Sequence, residues 1–564
     1  MGKQLTRRDF LHYSLATGVV LWNEASLLGK EPLLKELFKV AAANPALSIF
    51  PQSVASGDPL TDGITLWTRV ERQSEQAKVA FQVACDSDFS QIVLMGMANT
   101  DETQDYTIKV RLQSGVLQPF TTYYYRFIFN NTASPTGRFK TLPAPNTDVE
   151  KIRFGYISCQ DYTKGYYTAL HYLAKEDIDF VVHLGDYIYE NVSVPKLQER
   201  SIQLPSGESK AQNLEDYRFL YQTYKSDANL QRLHENFAFI SIWDDHEYAN
   251  DCYKEYTTDT TSETQNFSPE RRRAANQAWA EYTPTSVSFD PHKDTSSLQI
   301  YRKFTFGNLL DLVLTDERLY RDSPPCGLAA SQRRGGADCA ARTNQDRTML
   351  GLTQRQWFLN QICNSACVWK IWCNEVVTMQ LKVRSPLVSR LLKKPSADLF
   401  LSLDSWDGYA AERNLIFTEL KNSGVKNLVT ITGDIHTYVA GYQRIKFDNP
   451  FVLNMVPADA VGVEFVVGSV TSSNIAETIG RASNKVPLPP MGVITKIFKQ
   501  NNPHIQYFNS IAHGYNLVEV THSALTCTFK GVSTITAPGG TLSTLKVFRV
   551  KRDRILLEDL SDQL

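Results

Sequence analysis

Short apolar runs, each closing on a turn or an ionisable residue, constrain this chain more than any other feature. They read IRFGYIS (152–158), DFVVHLG (179–185), FAFISIW (237–243), LLDLVLT (309–315), VWKIWCNEVV (368–377), NLVTITG (427–433) and VEFVVGS (463–469). An alternating pattern would mark strands wetted on one face, whereas near-continuous apolar runs mark strands covered on both. Helical stretches such as YYTALHYLAKED (166–177) lie between them. A layered α/β core is therefore expected over residues 151–564.

The residues at the ends of those strands point to chemistry. The first strand ends in Cys159, the second in Asp186, the third in Asp244, Asp245 and His246, and NLVTITG in Asp434 and His436. The carboxyl edge of a sheet is where α/β proteins bind ligands. One acid after a strand is ordinarily a turn former or helix cap, and a lone buried cysteine is ordinarily inert. Those readings do not explain why metal-capable groups recur at four strand ends, so a metal or catalytic centre is expected. Thiolate, phenolate, carboxylate and imidazole together make a strongly anionic set, in which phenolate in particular favours a hard, highly charged cation such as ferric iron, and a carboxylate-rich neighbour suits calcium, magnesium or manganese. A shared carboxylate such as Asp186 can bridge two ions about 3.5 to 4 Å apart, an arrangement that holds phosphate and makes hydroxide available near neutral pH.

The texture before residue 151 is different. GITLWTRV (63–70), KVAFQVAC (78–85), DYTIKVRLQ (105–113) and TTYYYRFIFN (121–130) alternate apolar and polar residues. They predict an immunoglobulin- or fibronectin-like β-sandwich over residues 51–143, joined to the core by the linker TLPAPNTDVEK (141–151). Trp67 and Tyr123 to Tyr125 read as strand and core aromatics; the rival is a non-catalytic surface or polymer-binding role. Two polar insertions, 192–227 and 257–295, are long enough to shape a substrate entrance.

At the N-terminus, Arg7 and Arg8 precede a short apolar stretch in TRRDFLHYSLATGVVLW (6–22), and small residues occupy 41–43. This is the layout of a twin-arginine export signal over residues 1–43. The alternative is a basic amphipathic helix of the mature fold. No other stretch reaches the roughly 18 apolar residues needed to span a bilayer, so a periplasmic or secreted protein without a transmembrane segment is expected, with the twin-arginine machinery as a partner. The net charge of −1 gives no reason to expect a stable nucleic-acid complex. The nine cysteines are odd in number, so at least one stays outside any intrachain pairing. Cys326 and Cys339, flanking a loop rich in Gly, Ala and Arg, are the expected disulfide.

The segments VASGDP, LWTRV, SCQD, HLGDYIYE, WDDHE, WDGY and GDIHT, in this order, resemble the alkaline phosphatase D family of metallophosphatases over nearly the whole chain after the signal. In the wider superfamily the pattern is D-x-H, GD, GNH, a later His and GHxH. Here Cys159 stands where D-x-H begins, DDH replaces GNH, and GDIH replaces GHxH. The resemblance implies Cys159, Asp186, Tyr189 and His436 as ferric-iron ligands, with a GD-x-x-Y spacing similar to that of purple acid phosphatases. It implies Asp186, Asp245 and Asp434 as ligands of a second ion, calcium or else magnesium, manganese or zinc. His246, at the GNH histidine, would stabilise the phosphoryl group or protonate the leaving group; the rival reading supports the Asp245 loop. The superfamily's separate metal-binding His is missing; Asn374 is the nearest polar substitute, but an amide on a strand more often satisfies backbone groups. Asp244 could share the role of Asp245, although the alignment with GNH favours Asp245. Arg318 and Arg321 are expected either to bind substrate phosphate through a bidentate fork or to form surface salt bridges. The loop 404–409 should lie near the site, with Trp406 as packing.

The function these features imply is an exported, metal-dependent phosphoesterase that attacks small phosphate esters with a metal-bound hydroxide. The alternatives are a phosphodiesterase or phospholipase D-like activity on diesters or phospholipids, and the non-catalytic binding protein.

Overall fold

Each of the seven apolar runs forms a strand, and they divide between two sheets that share one core. The computed structural model describes residues 19–23, 47–73, 76–193, 200–384, 398–447, 456–482 and 491–563. In the ten-stranded sheet, Lys151–Ile157, Phe180–Leu184 and Ala238–Ile242 run parallel. In the seven-stranded sheet, Leu310–Leu314, Trp369–Asn374, Leu428–Thr432 and Ala460–Val466 do the same. Their inner faces meet in one apolar cluster. The Phe154, Phe180 and Phe306 rings stack at 5.1 and 4.8 Å, and the Tyr156 hydroxyl donates to the Phe465 carbonyl across the interface at 2.9 Å. Burial on both faces is why these strands read as continuous apolar runs rather than alternating ones.

Beyond the reading from sequence, the chain returns after residue 500 to extend both sheets. Ile505–Asn509 joins the smaller one, while His513–Thr521, Ala524–Val532, Leu542–Lys551 and Leu557–Asp559 form an antiparallel meander beside Lys151–Ile157. Ala524–Val532 alternates buried and half-buried residues, as expected of antiparallel strands with one wetter face.

The N-terminal strands form two facing sheets around Phe81, Phe127, Leu66 and Val110, the sandwich expected. One of those sheets does not end at a domain border. Val54–Gly57, Gly63–Arg69 and Thr107–Gln113 continue the ten-stranded sheet, with Ser56 opposite Ala238 and Gly57 opposite Phe239. A Cβ on Gly57 would lie 2.6 Å from the Phe239 carbonyl oxygen and 2.0 Å from that of Pro284, so only glycine permits this junction. Trp67, fully buried, donates its indole N–H to the Glu281 carbonyl at 2.8 Å, and Tyr123 and Tyr125 are also buried. These aromatics are therefore packing residues.

The insertions also join the N-terminal module to the core. Their helices, Leu214–Lys225 and Pro269–Tyr282, pack together through the Arg218–Glu281 pair and stacked Tyr221 and Tyr282 rings. Tyr282 and the Lys225 ammonium then contact Trp67, which joins the insertions to the N-terminal module. The Cys326–Cys339 disulfide is present, with Cα atoms 5.9 Å apart, while Cys363 and Cys367 are free. Most of the expected export signal, residues 1–18 and 24–43, lies outside the described residues; Val19–Asn23 pairs antiparallel with Ile92–Thr100. Among the described residues no helix is long and apolar enough to cross a membrane.

Asp58, from the VASGDP segment, latches the module to the core. Its carboxylate accepts from Arg302 Nη2 at 2.7 Å and Nε at 3.0 Å, from Thr285 Oγ1 at 2.7 Å and from the Ser286 amide at 2.8 Å. Arg302 Nη2 also donates to the Ser241 carbonyl at 2.7 Å. Burial works against the Asp58 anion, but the Arg302 charge and these hydrogen bonds outweigh it and hold the carboxyl below its usual range. Asp58→Asn leaves a buried guanidinium uncompensated and should cost about 3–5 kcal/mol. Because the folded-state pKa is depressed, this stabilisation is present above the unfolded value near pH 4 and is lost as pH falls through the folded value. Urea unfolding should show the full deficit at pH 7 and a shrinking one below about pH 4; an unchanged midpoint at pH 7 would remove the latch.

Candidate metal centre

Four strand ends deliver the centre, and left-handed backbone aims it. Cys159, Asp186, Asp434 and His436 have φ of 58°, 58°, 65° and 52°. Each such residue costs about 1–2 kcal/mol in a non-glycine side chain, so the surrounding structure must hold them there. Gly185 (φ 90°) allows the approach of the next strand end: a Cβ would lie 2.4 Å from the Asp244 amide nitrogen.

Three donor sets result: two share Asp186, and a third joins Asp245 to Asp251 and Asp404. In the first, Cys159, Asp186 and His436 present ligand atoms within 4.8 Å of one another. Tyr189 belongs with them, since its hydroxyl donates to Asp186 Oδ2 at 2.6 Å and lies 3.3 Å from His436 Nε2. In the second, Asp186, Asp245 and His246 are equally close. Asp434 joins through a common neighbour: Arg318 Nη2 lies 3.6 Å from Asp434 Oδ1 and 3.8 Å from Asp245 Oδ2. Cys159, Asp186, Tyr189 and His436 thus converge, Asp186 and Asp245 lie in a second set, and Asp434 is linked to that set through Arg318.

The electrostatics show a site with too much buried negative charge for its protein cations. Burial, reinforced by the Asp186 charge, pushes the Cys159 thiol well up, and it does the same to the Tyr189 phenol. Burial likewise pushes Asp186 and Asp244 well up and Asp434 to about 7. Asp245 goes the other way, to about 2, because Arg318 and His246 outweigh its burial. Asp244 Oδ2 is buried with no hydrogen-bond partner. Groups that must hold protons for want of countercharge are groups a cation would deprotonate and bind. The donor types therefore fit metal ions: soft and phenolic in one set, carboxylate in the others.

His246 stands at the opening. Its side chain is 15% exposed, and that of Asp434 is 18% exposed. Nδ1 pairs with Glu190 Oε2 at 2.6 Å, which leaves Nε2 free of hydrogen bonds among the described residues. Burial opposes the imidazolium, but Glu190, Asp245 and Asp186 raise its pKa well above the ordinary value. His436, lacking such partners, is lowered to about 4 by burial, and its Nδ1 meets the Ser473 carbonyl at 2.8 Å.

One expectation needs correction, and two alternatives left open by the sequence resolve. Arg318 and Arg321 are fully buried, so they form neither surface salt bridges nor a substrate fork. Arg318 donates to Asp244 and Asp404, and Arg321 to Asp404 Oδ1 at 2.6 Å and to the Cys252 and Asp251 carbonyls at 2.9 Å. They brace the acidic loops from behind. Asn374 does not replace the missing histidine, because its Oδ1 accepts from the Trp406 indole at 3.0 Å and its amide donates to the Val376 carbonyl. Asp244 is engaged by Arg318 Nε at 2.5 Å, which leaves Asp245 as the member of the donor set.

The residues that sequence reasoning missed are carboxylates that serve other groups. Glu247 accepts from the amides of Asp186 at 3.0 Å, Tyr187 at 2.7 Å and Asp244 at 2.9 Å, clamping two strand ends with one side chain. Glu190 holds His246, and Asp251 donates its amide to Asp245 Oδ2 at 2.5 Å. Glu190 and Glu247 stand at the ends of HLGDYIYE and WDDHE, but no spacing rule separates a carboxylate that orients from one that ligates.

A two-sheet α/β core with clusters at its strand ends that could hold cations fits a metal-dependent hydrolase, and comparison with known proteins makes the assignment specific. A model of the PhoD-like phosphatase matches residues 154–529, and one of the PhoD-like phosphatase N-terminal domain matches residues 37–143. Alkaline phosphatase D of Bacillus subtilis (strain 168) is 33% identical over 534 residues, covering 93% of this chain and 85% of that protein. A solved structure of PhoD superposes with a TM-score of 0.78 at 31% identity, covering 92% of this chain and 94% of the other. The chain belongs to the PhoD-like phosphatase family and is a phosphoric ester hydrolase.

The Glu247 clamp is open to a direct check. Glu247→Ala orphans three buried amide donors at about 1–3 kcal/mol each. It should lower the melting temperature and reduce metal bound per chain after reconstitution. Wild-type metal content in a folded variant would show that the clamp does not position the ligands.

Proposed function

We propose that this enzyme hydrolyses phosphate esters at a two-cation centre bridged by Asp186, and that it does so after export. The observation that carries the reading is the membership of Asp186 in two donor sets. Cys159, Asp186, Tyr189 and His436 suit Fe3+, and Asp186, Asp245 and Asp434 suit Ca2+, with Mg2+, Mn2+ or Zn2+ as alternatives. Bound there, the cations would neutralise the phosphate and lower the pKa of water enough to make hydroxide available near neutral pH.

The chain's own groups divide the remaining work. Glu190 fixes the His246 ring through Nδ1 and favours its protonated form, so Nε2 can deliver a proton to the departing alkoxide. Arg318 neutralises part of the carboxylate charge from beneath without reaching solvent, which keeps Asp245 ionised. Tyr189 and His246 stack at 4.1 Å, so the phenol of one donor set supports the imidazole of another.

Purified protein should absorb in the visible through tyrosinate or thiolate bound to ferric iron, and iron chelation should bleach it. Asp186→Ala should lose both metals and more turnover than the about 10²- to 10³-fold typical of removing a single transition-state donor. Full metal content or wild-type turnover in that variant would sink the bridged centre. Rates on an aryl phosphate, its bis-aryl ester and a phospholipid will separate monoesterase, diesterase and phospholipase D-like roles. For export, replacing Arg7 and Arg8 together by Lys should leave the enzyme in the cytoplasm; normal export would exclude the twin-arginine route.

A further inference from the structure

The guanidinium that meets solvent at the centre is Arg334. Its side chain is 62% exposed, whereas Arg318 is fully buried. Nη2 donates to Asn250 Oδ1 at 3.0 Å and Asp251 Oδ1 at 3.3 Å, while Nε and Nη1 make no hydrogen bond among the described residues. Its partner Asp251 belongs to the acidic centre: the Asp251 amide donates to Asp245 Oδ2 at 2.5 Å, and Asp245, Asp251 and Asp404 present carboxylate oxygens within 4.8 Å of one another. It also lies on the same rim as His246: the Asn250 amide donates to Glu190 Oε1 at 2.9 Å, and Glu190 Oε2 holds His246 Nδ1.

Its backbone is fixed rather than loose. Arg334 opens the strand Arg334–Ala337, where it lies opposite Ser402. The preceding Arg333, buried, donates Nε to Asp251 Oδ2 at 2.6 Å, and its carbonyl accepts from the Leu403 amide at 2.7 Å. Cys326 and Cys339 close the loop covalently around both arginines. Three kinds of restraint therefore hold the base of a side chain whose head has unused donors. A surface arginine held only by its ion pair would gain nothing from them.

We propose that Arg334 is the phosphate-recognition residue of this enzyme, its free donors meeting the non-bridging oxygens of the bound ester, with Arg333 and the Cys326–Cys339 disulfide as its positioning elements. The inference rests on the phosphoesterase reading of the same centre. It adds a preference: a monoester dianion presents more anionic oxygen to a guanidinium than a diester monoanion does.

The test uses metal-loaded, full-length wild type, Arg334→Ala, Arg334→Lys and the Cys326→Ser/Cys339→Ser double variant. KM and kcat on an aryl phosphate and its bis-aryl ester are read beside calorimetric binding of inorganic phosphate. Arg334→Ala should weaken phosphate binding and raise KM for the monoester about 10- to 100-fold, the range for one charged hydrogen-bonding group. Metal content and melting temperature should not change, and the loss on the diester should be smaller. Arg334→Lys should recover part of the loss, since it keeps charge but not the fork. The double serine variant should move KM in the same direction with kcat less affected. Unchanged phosphate affinity in Arg334→Ala, or a fall in its metal content, would overturn the recognition role. Equal losses on both esters would overturn the monoester preference, and a wild-type KM in the double serine variant would overturn the role of the disulfide. If wild type binds phosphate through Arg334 yet cleaves no ester, the phosphoesterase mechanism falls while this inference stands.

Discussion

Uncompensated negative charge at a sheet edge is the constraint around which the rest of this structure is arranged. An isolated carboxylate is too costly to bury, and even a paired one depends on good geometry. Asp186, Asp244, Asp245, Asp251 and Asp404 are all buried within one region. The protein meets part of the cost itself, through Arg318 and Arg321 beneath the site and Arg333 beside it. Burial still pushes the carboxyls of Asp186, Asp244 and Asp434 up. A fold under selection for stability alone would replace such a cluster with apolar packing. Retaining it makes sense where cations finish the compensation, and the shortfall in charge is then the affinity for metal.

That affinity needs geometry, which comes from strain held by rigid neighbours. Parallel strands end in register: Leu184 lies opposite Ile242, and Ile157 opposite His183. The turns beyond them therefore start from a common edge. Positive φ at four ligands rotates their side chains inward, and the clamps oppose relaxation. Glu247 ties the Asp186 turn to the Asp244 turn, and the Cys159 amide donates to the Gly185 carbonyl at 3.2 Å. Loosening any one turn would shift two donor sets together, because Asp186 belongs to both.

Sequence legibility divides along the same line. The strands were readable because burial on both faces leaves a compositional signature, and the ligands because they recur at one place in that signature. The antiparallel meander after residue 510 was not read, since its alternating, partly polar strands resemble much else. Arg318 and Arg321 were assigned to phosphate or to the surface because sequence shows that a residue is cationic but not which way it faces. Their burial is set by distant acids, Asp244 lying 74 positions away and Asp404 lying 83 from Arg321. Arg334 went unnoticed for the converse reason. It sits among several arginines in a loop without periodicity, and only the disulfide and the strand opposite Ser402 distinguish it.

The N-terminal module enters this argument through one strand. Composition alone describes a sandwich beside an enzyme, which would permit the two to move independently. The sheet, however, runs through both: Val54–Gly57 pairs with Ala238–Ile242, the strand that delivers Asp244, Asp245 and His246. Arg302 reinforces the junction by bridging Asp58 to the Ser241 carbonyl, three residues before Asp244. The insertion helix Pro269–Tyr282 packs on the end of the same strand, with the Trp279 ring 5.3 Å from that of Trp243. A catalytic strand at the edge of its sheet would be free to fray and would expose unpaired backbone. Placed in the interior of a ten-stranded sheet, it gives the left-handed turns a fixed base, so the sandwich contributes to ligand geometry without touching a ligand.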